Sequence, residues 1–577
     1  MRVSRARLAV ALTAGICAAL PAVAQKFDTS EYAEVLPADP PCEVVFTPSN
    51  FASVRHLLRD GTSNVYCFTP GDYRSGGEID LYTSGTQSRR RYLRLANADG
   101  LQNAVQSSSR AILESVRVEG DWWVIRHLTI QPKNVLTTQY LAVTGGDHNV
   151  LDGNLIDGIE HANAGEVQAV ILNGLVGDPA THNTVQNNLI RNGNMTRRPV
   201  DFTGVMVAAA TMTGENNDWN RVVDNEIIDW GDGVAISGYT EDCSEPGVQH
   251  ATVVDNNDIY LTEKKRADCA TGASNPNGEC ACAENGIDTK ADPGADPALW
   301  TRLTNNRVWG YRPTASPSCG GSGSNGQAIS SGNKCPGHTL VAQNVVNDST
   351  TGISIVGNSW IVTGNLVYNI RATTGWRYGS FAVLADRMGT GHHIEFNALL
   401  NNDTAYDNGS TNTLARCNVT INDRGYAETA ETQGAGNYTS YNYLYNGSTT
   451  NFPGSSNVRF SSASDARDGQ LCYWRKRWSG PEQICVGNAS TTAVSPHLAT
   501  LSICDPSELV SQFGMQPVSW PTASQCSDGV DNDGDGRIDA ADPNCTAGST
   551  RENGACGLGF EAGIAIVLIG RRLRKLV

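Results

Sequence analysis

The sequence predicts an all-β protein, a solenoid of short parallel strands, with an N-terminal cap and a small C-terminal calcium-type loop segment. Three observations predict it. One theme, an apolar residue, two others, Asn, then two or three apolar residues, recurs along the chain. It reads Leu151-Asp-Gly-Asn-Leu-Ile156, Val185-Gln-Asn-Asn-Leu-Ile190, Val341-Ala-Gln-Asn-Val-Val346 and Val362-Thr-Gly-Asn-Leu-Val367, and returns around Asn397, Asn418 and Asn442, with steps of 21 from Asn344 to Asn365 and from Asn397 to Asn418. A second theme, Gly-apolar-any-apolar, interleaves with it at Gly204, Gly233, Gly286 and Gly352, and at Ser380. Glycine is abundant at 59 residues while aromatics are 7%, which suits many short strands and tight corners. Self-similarity at such a period means stacked units that bury a continuous core only together.

In chain order, residues 1–24 read as a signal peptide. Arg2, Arg5 and Arg7 precede an apolar run from Leu8 to Leu20, and Ala22-Val23-Ala24 forms a small-x-small cleavage site. Cleavage takes the formal charge from -16 to -19. That acidic balance argues against nucleic acid as a partner. Export implies an oxidising compartment and disulfides among the 16 cysteines. Spacing suggests Cys42–Cys67, Cys319–Cys335, Cys472–Cys485 and Cys526–Cys545. Cys243, Cys269, Cys280 and Cys282 form two further pairs or a zinc site; Cys417 and Cys504 are left unassigned.

Residues 25–41 read as a polar linker. Residues 42–118 read as an N-terminal cap, with a short helix over Phe51 to Arg59 capped by Asn50, and strands at Cys67 to Tyr73 and Tyr92 to Leu95. The repeats are expected over 119–460, beginning with the alternating strand Trp123 to Ile130. Residues 461–525 read as a disulfide-containing cap and bridge, 526–545 as a Cys-flanked calcium-type loop, and 546–577 as a sorting or anchor tail.

The two themes resemble the right-handed parallel β-helix of the pectate-lyase-like superfamily over roughly 42–460. Within that frame, Glu284-Asn-Gly-Ile-Asp-Thr-Lys290 breaks the pattern. Ile287 and Thr289 point inward, so Asp288 and Lys290 point outward. Matching outward pairs elsewhere, Met206/Ala208, Ala235/Ser237, Ser354/Val356 and Ala382/Leu384, carry no charge. Asp232 is expected beside Asn285; the next strand of the asparagine theme adds Arg307, and Arg312 follows it. An insertion over 261–282 is expected to wall a groove here.

Gly286-x-x-x-Lys290 is similar to the Gly-x-x-x-Lys of family-nine pectate lyases. The resemblance implies β-elimination on a uronate-containing polysaccharide, with Lys290 as base and cations at the substrate carboxylate. Asp288 and Arg307 complete the expected catalytic set; Asp232 and Arg312 are expected to bind substrate. That family's upstream aspartate cluster for calcium is missing; Asp268, Glu279, Glu284 and Asp288 are the carboxylates at hand. The rival readings are a plain Asp288–Lys290 ion pair in a non-catalytic glycan-binding or surface-structural protein, and a hydrolase built on Asp232 with Asp288.

Trp474, Arg475 and Trp478, in the loop closed by Cys472 and Cys485, offer indoles for sugar faces and a cation for carboxylates. The rival is a pinned cap. Asp531, Asp533, Asp535, Asp539 and Asp542 fall at oxygen-ligand positions of a calcium loop, with Gly536 at position six and the Arg537 carbonyl at seven. The tail from Gly557 to Gly570 is short for a membrane span. With Cys556-Gly-Leu-Gly before it and Arg571-Arg-Leu-Arg-Lys575 after it, it resembles bacterial C-terminal sorting tags, implying cell-surface or outer-membrane attachment. A monomer is expected.

Overall fold

The computed structural model describes residues 30–97, 110–161, 166–175, 177–195, 202–208, 217–237, 249–262, 284–312, 326–331, 337–372, 380–386, 388–400, 402–416 and 418–421, and the strands 438–440, 443–445, 458–460, 471–475 and 482–486. Three long sheets dominate these residues: two of 14 strands and one of 11, with every neighbouring pair of strands parallel. The chain visits sheet A (14 strands, from Val44–Phe46), then sheet B (14 strands, from Gly71–Asp72), then sheet C (11 strands, from Ile79–Leu81 to Tyr406–Asn408), and between those ends of sheet C each circuit adds one rung to all three. This is a parallel β-helix. The strands of 42–118 pair into the same sheets, so the stack starts at Val44–Phe46 rather than at 119.

The A-to-B corner explains the asparagine theme. It has two residues. The first has positive φ: Gly153, Asn187, Asp224, Asn256, Asn305, Gln343, Gly364 and Phe396 all lie between 55° and 64°. The second is the repeating asparagine. The left-handed turn is therefore made by the residue before the theme's Asn, and the Asn works through its amide. From Asn154 through Asn188, Asn225, Asn257, Asn306, Asn344, Asn365 and Asn397 to Asn418, each side-chain oxygen accepts the preceding asparagine's Nδ2–H at 2.9–3.1 Å. It also accepts that residue's backbone N–H, for example Asn257 to Asn306 at 3.1 Å. The asparagines themselves are buried, so the ladder satisfies donors that water cannot reach.

Inside, one aliphatic residue per rung lines sheet A (Ile125, Leu151, Val185, Val222, Val254, Leu303, Val341, Val362) and another lines sheet B (Ile156, Ile190, Ile227, Ile259, Val308, Val346, Val367), all buried. Each contributes about 1.5–3 kcal/mol by burial. The glycine theme marks where sheet C meets them: a Cβ on Gly286 would lie 2.2 Å from Val308 Cγ1 and 2.5 Å from the Ala328 carbonyl oxygen.

Two expectations need correction at the N-terminal end. Phe51–Val54 and Leu57–Asp60 are separate single turns, and Asn50 makes no side-chain cap; its Oδ1 accepts from the Thr47 N–H at 2.8 Å. Residues 30–41 are not a free linker. They form a strap along the outer face of sheet A. Ser30 N–H donates to both Asp224 oxygens at 3.1 and 3.0 Å, Glu34 N–H to Gln186 Oε1 at 2.8 Å, and Arg126 to Asp39 at 2.7 Å. The Cys42–Cys67 disulfide fixes its end. Cys472 and Cys485 face each other in the register of an antiparallel hairpin, Leu471–Arg475 with Glu482–Val486. The remaining expected pairings, the 261–282 insertion beyond Thr262, and everything after 486 lie outside the described residues.

Candidate functional site on the outer face of sheet C

Asn285–Thr289 is a rung of sheet C between Asp232–Ser237 and Gln327–Ser331. Register places Asp232 beside Asn285, as expected, and Ala235 beside Asp288. The Asp232 carboxylate accepts from the Asn285 backbone N–H at 3.1 Å and from its Nδ2 at 3.2 Å. Lys290 N–H donates to the Ile236 carbonyl at 2.8 Å, extending the ladder one residue past the strand. Both Asp288 and Lys290 project outward.

Lys290 Nζ lies 3.1 Å from Asp288 Oδ2; the lysine side chain is 36% exposed and the aspartate 3%. The charge of Asp288 raises the Lys290 pKa, with Asp232 and Glu284 adding to it, against a smaller lowering by burial. Lys290 at rest is thus an ammonium with its charge held among three carboxylates. Beneath it, Tyr311 is buried against Gly233 and Gly286; burial first, then Asp232 and Asp229, raises its pKa, and its hydroxyl donates to the Trp230 carbonyl at 3.3 Å.

The outward column is longer and more varied than the sequence suggested. It runs Asp80, Arg117, Ala142, Ile171, Met206, Ala235, Asp288, Ser330, Ser354, Leu384, Asp407. Asp288 is therefore not its sole charged rung. The rung Gln327–Ser331 was missed because Ala328, not glycine, takes the small inward position. The strand Val383–Ala385 is shifted by two residues from the expected alignment: Leu384, not Ala382, stands beside Ser354, and Ala382 takes the glycine position.

The structure does not bring Arg307 to Lys290. Arg307 sits on sheet B, where its guanidinium pairs with buried Asp258 and donates to Asn256 Oδ1 at 2.9 Å. Arg312, just past that strand, pairs with Asp348 at 3.1 Å. Trp474 and Arg475 lie on the hairpin strand Leu471–Arg475, while Trp478, Asp531, Asp533, Asp535, Arg537, Asp539, Asp542, Asp268 and Glu279 lie outside the described residues. Among the described residues, no group of three or more His, Cys, Asp and Glu side chains could hold a metal.

One polar pair escaped sequence reasoning. His338 Nδ1 lies 2.6 Å from Asp292 Oδ1, two residues past Lys290 in the chain. The partners are 46 residues apart on successive rungs, and no short motif joins them.

No family model matches the chain, and no curated protein does. Several solved structures are similar to it. An alginate lyase from Paenibacillus sp. str. FPU-7 shares 17% identity, covering 62% of this chain and 94% of that one, with a TM-score of 0.34. A mannuronic acid specific polysaccharide family 6 lyase from human gut microbiota shares 11%, covering 73% and 92%, with a TM-score of 0.42. A pectate lyase shares 13%, covering 59% and 70%, with a TM-score of 0.31. The chain itself, by its three parallel sheets and its ladder of asparagines, is an all-β protein of parallel β-helix architecture.

Proposed function

We propose that this protein engages a uronate-containing polysaccharide on the outer face of sheet C and cleaves it by β-elimination. The observation that carries the reading is the half-exposed Lys290 ammonium standing on that face over the buried Asp288 carboxylate. A uronate carboxylate meeting Lys290 is neutralised, which acidifies the C5 proton and favours the enolate. To take that proton itself, Lys290 must first release its own, so the Asp288 pair has to open before Lys290 serves as base.

The raised Lys290 pKa also favours a second reading, a non-catalytic glycan-binding protein in which the ammonium only anchors carboxylates. The test is absorbance of the unsaturated uronate product on a panel of polyuronates, with and without calcium, beside retention of the protein on the same polymers. Product formation that falls with Lys290→Ala supports the lyase. Retention without product supports binding alone, and neither result defeats both.

Two accessory roles belong to the same proposal. Asp531, Asp533, Asp535, Asp539 and Asp542, with the Arg537 carbonyl, would hold a structural calcium ion. The signal peptide and the tail after 546 would export the protein and keep it at the cell surface, where such polymers lie. Truncation after Ser549 is expected to release it to the medium, and identical partitioning of the two forms would remove the tail's role.

A further inference from the structure

The same face carries a second built feature, in its first rungs. A cleft of about 590 Å³ opens there, and its lining includes Arg74, Glu78, Glu114, Arg117, Lys133 and Gln139. Arg117 stands in the same outward column as Asp288, five rungs earlier. At roughly 4.8 Å per rung, the two lie about 24 Å apart along the axis.

The cleft's charges are mostly spent on one another. Asp72 takes both Nε and Nη2 of Arg74, at 2.9 and 2.7 Å, and the hydrogen bonds from Arg74 hold its carboxyl down at about 2. Arg117 lies 3.3 Å from Glu78. Buried Glu114 organises the rim: it accepts from the Lys133 and Asn134 backbone N–H groups at 2.8 and 2.9 Å and from the Thr137 hydroxyl at 3.1 Å. These bonds preset the loop that presents Lys133. The Lys133 ammonium is exposed and makes no ion pair among the described residues. Its charge helps Arg74 lower the Asp72 carboxyl, but it is held in no salt bridge; the cleft therefore offers one cation outside any ion pair beside amide and hydroxyl groups, in a chain of formal charge -16. A site of that kind selects a ligand with a single acidic group and several hydroxyls.

We infer that this cleft is a remote subsite for one carboxylate-bearing sugar unit of the polymer, with Lys133 as its charge contact. The inference rests on the proposed function for the identity of the polymer and adds that a bound chain spans both Lys133 and Lys290. It predicts a length dependence: oligomers too short to cover the distance use one site or the other, and longer ones gain from both.

The experiment is calorimetry on the full chain with uronate dimers, uronate decamers and neutral cello-oligomers, for the native protein, Lys133→Glu and Lys133→Arg. The expected result is decamer binding weakened about two- to fivefold by Lys133→Glu, the effect of one exposed charge pair, and retained in Lys133→Arg. Lys133 is exposed and its hydrogen bond to Glu114 comes from the backbone N–H, which both variants keep, so both should fold. Equal decamer affinity in the native protein and Lys133→Glu overturns the subsite and leaves the proposed function standing. Equal binding of neutral oligomers overturns the acidic specificity. If the native protein binds and cleaves no long uronate chain, the proposed function falls; the subsite then stands only on dimer binding that Lys133→Glu abolishes, and falls if no dimer binds.

Discussion

Asp288 and Lys290 leave sheet C on the same side, two residues apart, yet the carboxylate is 3% exposed and its ammonium 36%. The pair is half buried, so removing the cation strands a charge that water cannot reach. Lys290→Ala is expected to lower stability by about 1–3 kcal/mol, discounted for the exposed half. In an active lyase it should also lower turnover by about a hundredfold or more. Lys290→Arg should keep the stability and lose proton transfer, because guanidinium stays protonated. Thermal melts and product absorbance check both.

The direction of the Lys290 shift sets a pH dependence. Its folded pKa lies above the unfolded value, so the pair's contribution is complete below about 10.4 and is lost as pH rises through the higher folded pKa. If Lys290 is the base, turnover climbs into the alkaline range. If it only neutralises the substrate carboxylate, turnover is flat there and then falls. A pH profile of kcat separates the two.

In the middle of the amide ladder, Asn306 takes two N–H groups from Asn257 and donates to Asn344 and to the Val254 carbonyl. Asn306→Ala leaves several buried groups unmatched, so a loss of roughly 3 kcal/mol or more is expected. Asn154, at the start, accepts only from the Leu128 N–H among the described residues, so Asn154→Ala should cost less. Denaturant midpoints at constant slope measure the difference.

His392 occupies the rung position that Asn149 and Asn183 hold at the C-to-A corner, taking the Trp360 N–H at Nδ1 as they take theirs. Burial lowers its pKa from 6.5 to about 4. Below pH 6.5 the unfolded chain binds a proton that the folded one refuses, so stability falls as pH drops from 6.5 to 4. The loss is roughly 3 kcal/mol. His392→Asn keeps the acceptor and should flatten that acid limb in pH-dependent melts.

The calcium proposal predicts that Asp531→Ala with Asp535→Ala in the full chain abolishes the calcium-dependent heat seen by calorimetry. An unchanged heat at millimolar calcium would place the ion elsewhere.

Much of the fold was legible because the corner needs an amide at one position, and Asn344, Asn365, Asn397 and Asn418 show it, two of the three steps being 21 residues and the other 32. The rungs at Asn225, Asn257 and Asn306 were harder to see: the next residue, Glu226, Asp258 or Arg307, is the outward one on sheet B, and its charge breaks the apolar run. Arg307 was expected near Lys290 for a different reason. Facing was legible there, but which of three sheets it faced from was not. Asp288 and Lys290 were legible from strand alternation alone. Their burial was not, because it depends on what lies over the sheet. The Asp292–His338 pair and the Lys133 cleft depend on stacking of distant segments, which carries no local sequence signal.

The strap has a consequence for the order of events as the chain is made. Ser30 binds Asp224, 194 residues later in the chain, and Glu34 binds Gln186, 152 later. A polypeptide delivered amino end first presents its strap long before those partners arrive. The strap therefore has to wait, undocked, while successive rungs assemble, and can close only as a late, long-range step. A chain that starts folding from its first coils is thus sealed last by the strap that precedes them.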